Sequence, residues 1–319
     1  MQINNTMPGV QLVGDIGGTN ARFAYVEQGS KDLNRIEKFP CANFPHFIDA
    51  IRHYIKSSDI TNITAACFAV AGPVEQDLIN LPNNHWAFSR REIEAQLGIP
   101  ISIINDFSAQ VLCIDNLNES DVKWLGSARP GQLPAVKAVL GPGTGLGVSA
   151  MMPSGEIVPS EGGHVGFAPQ SAHEVELLQQ LWTRYERVSV ERLLSGMGLA
   201  NLYWANCRLA GLERELDAPG VTAGARAGDE YCLRAVSDFC AILGSEAGDL
   251  ALSMGAAGGV YISGGIVPAM LDLLDEDILR ARFNDKGRFR RICENTPLAI
   301  ILVAYPGLLG CVKALSKNI

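Results

Sequence analysis

The order of apolar and polar positions divides the chain into two halves with the same succession of elements. In the first half, short apolar and alternating patterns predict strands at about residues 11–15, 21–27 and 34–40. A helix over about 44–57 follows, because one helical face carries Phe47, Ile48, Ile51, Tyr54 and Ile55. The segments NITAACFAVAG, SRREIEAQLG, PISIIN and DFSAQVLCIDNL then predict strand, helix, strand and helix. The predicted order is therefore βββαβαβα.

The second half repeats this order with insertions. AVKAVLG, GVSAMM and EIVP predict three strands, and helical sequence that includes SVERLL fills about 172–253. GGVYISGG and LAIILVA predict two later strands, each followed by a helix: PAMLDLLDEDILRARF, with Pro268 in its first turn, and GLLGCVKAL. Such alternation favours mixed sheets covered by helices on both faces, with ligands at the carboxyl ends of the strands.

Each half begins with a glycine-rich turn between two strands, GDIGGTN in the first and GPGTGLG in the second. One interpretation is an ordinary hairpin with a glycine bulge. The other is a phosphate-binding loop, since glycines let backbone N–H groups approach anionic oxygens. Neither turn fits the P-loop or dinucleotide-binding patterns. The matching positions in the two halves favour phosphate binding, and the candidate residues are Gly17, Gly18, Thr19, Asn20, Gly143, Thr144 and Gly145.

Two further features fit a nucleotide with its metal ion. Asp15 would repel phosphate directly, but a hydrated Mg²⁺ takes one or two carboxylates and keeps several waters. We therefore expect Asp15 to bind Mg²⁺ through water. In GGVYISGGIVP, a buried strand ends at Gly264 and Gly265, which we expect to border the adenine or ribose of the nucleotide. The alternative is a strand–loop–helix unit whose glycines serve close packing.

Composition narrows the class of protein. The chain has 319 residues, of which 47% are hydrophobic and 19% charged, as expected for a soluble globular protein with sizeable cores. A net charge of −8 gives no support for nucleic acid or an anionic membrane as the main partner. The eight scattered cysteines suggest buried, reduced thiols, and MQINNTMPGV has no secretory pattern. We expect a cytoplasmic protein.

The motifs GDIGGTNAR, NDF, GPGTGLG, EGGHVGFAP, GGVYISGGIVP and PGLLG occur in the order found in bacterial glucokinases. From about Gln11 to the last helix, the chain resembles the zinc-free glucokinase group of the actin-like, ribonuclease-H-like sugar kinases. The resemblance implies an α/β fold with two βββαβαβα-type domains around a cleft. The small domain would comprise residues 1–116 completed by 300–319, and the large domain residues 117–299. It also implies a homodimeric kinase of glycolysis that uses ATP and Mg²⁺ to phosphorylate the 6-hydroxyl of glucose.

The resemblance also implies roles for individual residues. Asn105 and Asp106 correspond to a sugar-binding Asn-Asp pair, with Asp106 as the catalytic base. Glu161 and His164 of EGGH, and Glu191 of SVERLLSG, correspond to ligands of the sugar hydroxyls. Each has a structural alternative: Asp106 as a helix N-cap, His164 as a hydrogen-bonded loop residue, and Glu191 as a favourable charge in the first turn of a helix.

Two other classes of protein share the glycine turns. A regulatory sugar sensor would need a DNA-reading module, but the first strand begins near residue 11 and no basic patch stands out. An actin-like ATPase with a protein partner would have the turns without EGGH and the Asn-Asp pair. The kinase interpretation accounts for all of these motifs.

Asp249 departs from the family pattern, since relatives often carry an amide there.

Overall fold

The computed structural model describes residues 9–317. The expectation that no secretory signal precedes the first strand concerns residues 1–8, which lie outside the described residues. The chain separates into two compact units: unit 1 comprises Met1–Glu119 and Val303–Ile319, and unit 2 comprises Ser120–Leu302. The assignment of a small and a large kinase domain stays a prediction.

The described residues form short strands and helices of very different lengths. The strands are β1 Val10–Ile16, β2 Asn20–Glu27, β3 Asn34–Pro40, β4 Ile63–Val70, β5 Leu78–Asn80, β6 Ala87–Ser89, β7 Ile101–Asn105, β8 Val122–Trp124, β9 Lys137–Pro142, β10 Leu146–Met151, β11 Ile157–Ser160, β12 Val260–Ile262 and β13 Leu298–Ile301. The helices are α1 Phe47–Ser57, α2 Arg90–Leu97, α3 Asp106–Cys113, α4 Ala172–Leu181, α5 Gly196–Leu209, α6 Ala218–Arg226, α7 Glu230–Met254, α8 Ile266–Ala269, α9 Glu276–Asn284, α10 Arg290–Asn295 and α11 Pro306–Lys317.

The main sheet of unit 1 has five strands in the order β3-β2-β1-β4-β7. The first three strands are antiparallel neighbours joined by short turns, whereas β4 and β7 run parallel to β1 and need crossover connections. Ile16 is level with Val70 of β4, and Val70 is level with Asn105 of β7. The carboxyl ends of β1 and β7 therefore lie at the same edge of the sheet.

Helices cover the sheet of unit 1 on both faces, as consecutive buried residues such as Leu12 and Val13 require. The apolar face of α1 buries Phe47, whose ring packs edge-on against Phe68 of β4 with the centroids 5.1 Å apart. Helix α11 lies against β1, where the Cys311 thiol donates a hydrogen bond to a strand carbonyl. The last helix of the chain thus completes the core of unit 1.

The main sheet of unit 2 repeats the order of unit 1. Its strands run β11-β10-β9-β12-β13-β8, with an antiparallel β9–β10–β11 meander followed by the parallel strands β12 and β13. The short strand β8 is added antiparallel to β13 at the edge. Both units therefore contain one topology, and the predicted duplication of a βββαβαβα pattern is confirmed.

Two helical predictions in unit 2 are wrong in detail. The sequence predicts a single helix over 268–283, but the chain forms α8 and α9 with a break before Glu276. Asp275 sets the start of α9, because its carboxylate accepts the Ile278 N–H over 2.9 Å as the N-cap. SVERLL forms only a single 3₁₀ turn at Val190–Arg192.

Other differences concern element ends and very short strands. Helix α1 begins at Phe47 instead of residue 44, because Phe44 precedes a proline and adopts an extended conformation. Strands β5, β6 and β8 have three residues each, too few to show an alternating pattern.

Two predictions about the class of protein concern the burial of the cysteines and the length and polarity of the helices. All eight cysteines are buried, and their predicted burial is confirmed. Within residues 9–317, no helix combines the length and the apolar character that crossing a bilayer requires.

Helices α3 and α11 pack with their backbones in direct contact. A Cβ built on Gly310 would lie 1.8 Å from the Ala109 carbonyl oxygen. Because the obstacle is backbone, no side-chain rotation can relieve the overlap. Glycine is therefore required at this helix crossing.

We expect Gly310→Ala to lower the free energy of unfolding by about 1–3 kcal/mol or more, since overpacking at a close contact forces the helices apart. Gly131→Ala is the matched control, because a Cβ there meets no atom within 4 Å. Calorimetric melting of both variants measures the difference. Equal melting temperatures would show that the helices accommodate the methyl group.

Glu246 lies on α7 near the charged side chains of Asp249, Lys286 and Glu174. Lys286 donates to the Asp249 carboxylate over 2.8 Å and to a carbonyl of α7 over 2.9 Å. Burial raises the pKa of Glu246 to about 7, and the neighbouring carboxylates act in the same direction while Lys286 opposes them. The ionised form of Glu246 is therefore unfavourable in the folded chain.

This raised pKa predicts a pH-dependent effect of Glu246→Gln. Between the ordinary pKa of 4.5 and about 7, the folded chain binds a proton that the unfolded chain has released, so stability from this group is lost as pH rises. Glu246→Gln removes that loss. Its melting temperature relative to wild type should be higher at pH 8 than at pH 5. The exposed Glu186→Gln serves as control, and a difference independent of pH for Glu246→Gln would contradict the assignment.

Candidate functional site

The glycine turn of unit 1 connects β1 to β2. The Gly17 N–H donates to the Asn20 carbonyl over 3.0 Å, which closes the turn. Among the described residues, no group accepts a hydrogen bond from the N–H of Gly18 or Thr19. A Cβ on Gly18 would lie 2.8 Å from the Asn83 carbonyl oxygen, so this position requires glycine. The turn presents two free backbone donors and an exposed hydroxyl.

Asp15 lies directly before this turn, on β1. Its carboxylate is 3.5 Å from the Arg22 guanidinium of β2, and a Cβ on Gly307 would lie 3.0 Å from its Cγ. Gly307 is in the first turn of α11, where unpaired N–H groups favour a negative charge. Burial raises the pKa of Asp15, and Arg22 opposes that shift.

The residues around Asp15 limit how a metal ion could bind. Within residues 9–317, no three His, Cys, Asp or Glu side chains are grouped as metal ligands. A single carboxylate at the edge of a turn with free N–H donors fits a hydrated Mg²⁺ held partly by phosphate oxygens, and does not fit an ion enclosed by protein ligands.

Asn105 and Asp106 lie at the junction of β7 and α3. Asn105 is the N-cap of α3, because its Oδ1 accepts the N–H of Phe107 over 2.9 Å and that of Ser108 over 3.2 Å. Its Nδ2 donates to the Gly72 carbonyl over 3.3 Å, which leaves one N–H of this amide for a ligand. The alternative of Asp106 as N-cap is therefore wrong.

Asp106 is the first residue of α3. Its Oδ1 accepts the Phe107 N–H over 3.0 Å, and the side chain is partly exposed. The N-terminus of a helix favours the ionised carboxylate. Because β7 ends level with β1, Asp106 follows the same sheet edge as the glycine turn of unit 1.

The glycine turn of unit 2 connects β9 to β10 and repeats the arrangement in unit 1. The Gly143 N–H donates to the Gly145 carbonyl over 2.8 Å, and the Gly143 carbonyl accepts the Gly196 N–H over 2.9 Å. Across the described part of the chain, the N–H groups of Thr144 and Gly145 have no acceptor. Thr144 is exposed, like its counterpart Thr19.

Glu161, His164 and Glu191 form a polar group in unit 2. The imidazole of His164 lies between the two carboxylates, 4.0 Å from Glu161 and 3.9 Å from Glu191. These separations exceed a direct hydrogen bond, but a hydroxyl oxygen about 2.8 Å from each of two such groups fits between them. The arrangement can recognise neighbouring hydroxyls of a polyol.

Glu191 joins this polar group to the glycine turn. Its carboxylate accepts the Leu146 N–H over 2.9 Å, at the end of the turn. A Cβ on Gly145 would lie 2.4 Å from Glu191 Oε2, so only glycine allows the carboxylate to reach the backbone. The alternative that placed Glu191 in the first turn of a helix after Ser189 is met only by a short 3₁₀ helix, Val190–Arg192, of which Ser189 is the N-cap.

The contacts that bring the polar group together are not evident from the sequence. Backbone hydrogen bonds link Val165 to Val190 and Phe167 to Val188, so the two segments lie side by side. Arg187 donates to the His164 carbonyl over 2.7 Å. Arginines are frequent on protein surfaces, and nothing in the sequence distinguishes this one.

Gly264 and Gly265 follow β12 and lie beside the second glycine turn. Gly264 has a φ of +82°, and its Cβ would lie 2.3 Å from the Pro142 carbonyl oxygen at the end of β9. Gly265 precedes α8. The Ser263 hydroxyl is buried and has no hydrogen-bond partner among the described residues. The predicted nucleotide residues of unit 2 therefore gather at one sheet edge.

Two further parts of the chain, Asp249 and the segment Leu81–Trp86, are not among the candidate residues. Asp249, which departs from the family pattern, lies on α7 and pairs with Lys286, which follows the end of α9. The segment Leu81–Trp86, which carries no motif, lies against the glycine turn of unit 1 through Asn83 and Asn84.

Comparison with known proteins identifies the family. The glucokinase family model matches residues 12–318. The glucokinase of Chromohalobacter salexigens is 43% identical over 314 residues, which cover 96% of this chain and 98% of that protein. The crystal structure of a glucokinase from an Antarctic psychrotroph superposes with a TM-score of 0.89 at 34% identity, covering 97% of this chain and 99% of the other.

A more distant structure has the same fold. The ROK family glucokinase from Streptomyces griseus, in complex with glucose and AMPPNP, gives a TM-score of 0.66 at 19% identity and covers 98% of this chain and 100% of the other. The predicted actin-like sugar-kinase fold is thus confirmed. With the family model spanning nearly its whole length, the chain belongs to the glucokinase family.

Proposed function

We propose that this chain transfers the γ-phosphoryl group of ATP to the 6-hydroxyl of glucose, giving ADP and glucose 6-phosphate. Within the structure, the observation that carries the proposal is the position of Glu191. One carboxylate belongs to a group suited to sugar hydroxyls and also fixes the end of a turn with free N–H donors. The relatives of this chain are glucokinases, and one structure of the same fold holds glucose and an ATP analogue.

We assign the two glycine turns to the phosphates of ATP. The free N–H groups of Gly18 and Thr19 in unit 1, and of Thr144 and Gly145 in unit 2, are suited to anionic oxygens. The threonine hydroxyls add donors to both turns, and Asn20 closes the first one. Gly264 and Gly265 are assigned to the adenosine, beside the second turn.

Asp15 is assigned to Mg²⁺ through water, as its single carboxylate fits. Bound there, Mg²⁺ would neutralise part of the phosphate charge. Arg22 holds the Asp15 carboxylate in place on the sheet.

Glucose is assigned to Asn105, Glu161, His164 and Glu191. An unmatched buried polar group costs about 1–3 kcal/mol, so fixed donors and acceptors discriminate between hexoses by the direction of each hydroxyl. Glu161 and His164 are exposed in this structure, whereas Glu191 is largely buried by its bond to the backbone. Asn105 supplies the one side-chain N–H that its bond to the Gly72 carbonyl leaves.

Asp106 is assigned the role of base. Its carboxylate accepts the proton of the 6-hydroxyl as that oxygen bonds to the γ-phosphorus and the bond to the ADP oxygen breaks. In a loose transition state, orientation matters more than base strength. The fixed position of Asp106 in the first turn of α3 supplies that orientation. The cytoplasmic location, the homodimer and the place in glycolysis stay predictions.

A coupled assay of ADP release tests the proposed function. We expect ADP to form from ATP only when a hexose is present, with glucose the best of a panel that includes mannose, glucosamine and fructose. Release without sugar would favour an ATPase with a protein partner. Sugar binding without release would favour a sensor, and either outcome would overturn the proposal.

Asp106→Asn tests the base. The amide keeps the shape and an acceptor for the Phe107 N–H but cannot take a proton. We expect kcat to fall by about 10²–10⁴-fold, with the KM values for glucose and ATP changed by less than about tenfold. The exposed Asp32→Asn is the control for loss of one charge. A kcat for Asp106→Asn close to that of Asp32→Asn would refute the role of Asp106.

A further inference from the structure

The loop Leu81–Trp86, which connects β5 to β6 in unit 1, is anchored in the core. Trp86 is buried, with 2% of its surface exposed, and its indole N–H donates to the Phe44 carbonyl over 3.0 Å. The loop therefore has a fixed position relative to the sheet. We call it the support loop.

Asn84 of the support loop contacts the glycine turn through its side chain. Its Nδ2 donates to the Gly17 carbonyl over 3.1 Å, and its Oδ1 accepts the Trp86 N–H over 3.2 Å. The two bonds fix the amide orientation, because the reverse orientation would place an oxygen against a carbonyl and an NH₂ against an N–H. Asparagine satisfies both partners, and aspartate does not.

The Gly17 carbonyl and the Gly18 N–H belong to one peptide group. That group is planar and trans, so its C=O and N–H point in opposite directions. A bond from Asn84 to the carbonyl therefore helps to fix the direction of the Gly18 N–H, which points opposite to the Gly17 carbonyl. This N–H has no acceptor among residues 9–317.

Other contacts restrain the same turn, but none replaces this bond. The Cys41 thiol is 3.9 Å from the Gly17 carbonyl, a weak contact, and the Cys41 N–H donates to the Thr19 carbonyl over 2.9 Å. The Asn83 backbone packs against Gly18. Asn84 supplies the one strong donor to the Gly17 oxygen in the described structure.

In unit 2, the carbonyl of the first glycine of the turn is held by a backbone N–H instead of a side chain. The Gly143 carbonyl accepts the Gly196 N–H over 2.9 Å, which fixes the peptide that carries the free Thr144 N–H. In both turns, the first glycine has its carbonyl held from behind while the next residue presents its N–H. Only in unit 1 is the holding group a side chain, so only there can substitution remove it.

We propose that Asn84 is a positioning residue for ATP: it holds the Gly17–Gly18 peptide so that the Gly18 N–H is oriented toward a phosphate oxygen. The inference rests on the proposed function, since it assigns the ligand of this turn as a nucleotide phosphate. Asn84 itself touches the turn and takes no part in the phosphoryl transfer.

Steady-state kinetics of Asn84→Ala and Asn84→Asp test the role. Loss of an oriented donor to a charged ligand predicts a fall of about tenfold in kcat/KM for ATP with Asn84→Ala. Asn84→Asp should lose more, because it places a carboxylate against the Gly17 carbonyl. The KM for glucose should change by less than about twofold, whereas a general loss of structure would affect both substrates.

Asn83→Ala is the matched control. It is the neighbouring asparagine, its side-chain amide has no hydrogen-bond partner in the described residues, and alanine keeps the Cβ and carbonyl that pack on Gly18. Its kcat/KM for ATP should stay within about twofold of wild type. Equal ATP kinetics for the Asn84 variants and Asn83→Ala would overturn the inference while the wild-type kinase activity stands.

A titration of the ¹⁵N-labelled wild-type protein with ADP tests the inference without a variant, should Asn84→Ala fail to fold. The Gly18 and Thr19 amide resonances should shift, and the Gly17 amide, bonded to Asn20, should shift less. An unchanged Gly18 amide at saturating ADP would overturn the inference. A wild-type protein that forms no ADP with any hexose would instead overturn the proposed function.

Discussion

Both glycine turns depend on a constraint within a single peptide group. In a planar trans peptide the C=O and N–H point in opposite directions, so a donor bonded to the carbonyl helps to fix the direction of the N–H. The donor is the Asn84 amide in unit 1 and the Gly196 N–H, at the start of α5, in unit 2. The anchoring of the support loop and of α5 in their cores therefore also restrains the peptides that carry the free N–H groups of Gly18 and Thr144.

Glycine serves these turns chiefly through close approach. Gly18 leaves room for the Asn83 carbonyl, and Gly145 leaves room for the Glu191 carboxylate. Gly264 lies against the carbonyl of Pro142 in a left-handed conformation. In each case an oxygen of a second segment lies close to the glycine backbone, and a methyl group on the glycine would overlap that oxygen. The glycines connect the turns to the rest of each unit as much as they expose N–H groups.

The sequence predicts the repeated framework because long apolar strands and paired glycine turns leave clear patterns. It does not predict β8 or the β5–β6 hairpin, whose three-residue strands carry no periodicity. Within the site, the motifs identify the candidate residues but not their supports. Asn105 and Asp106 are adjacent and both suit an N-cap, and only backbone geometry shows that Asn105 has the role. Asn84 has no sequence signal, because its partner is a carbonyl that every residue possesses.

The two units share a topology but carry different chemistry at the ends of their strands. Unit 1 places carboxylates at Asp15 and Asp106, each near the N-terminus of a helix that favours the ionised form. Unit 2 places two glutamates around a histidine, with Glu191 tied to the backbone of the turn. A duplicated sheet thus provides a turn with free N–H donors twice, while the residues that follow the other strands are free to differ. The first set fits the metal binding and proton transfer that we propose, and the second set fits the proposed recognition of hydroxyls.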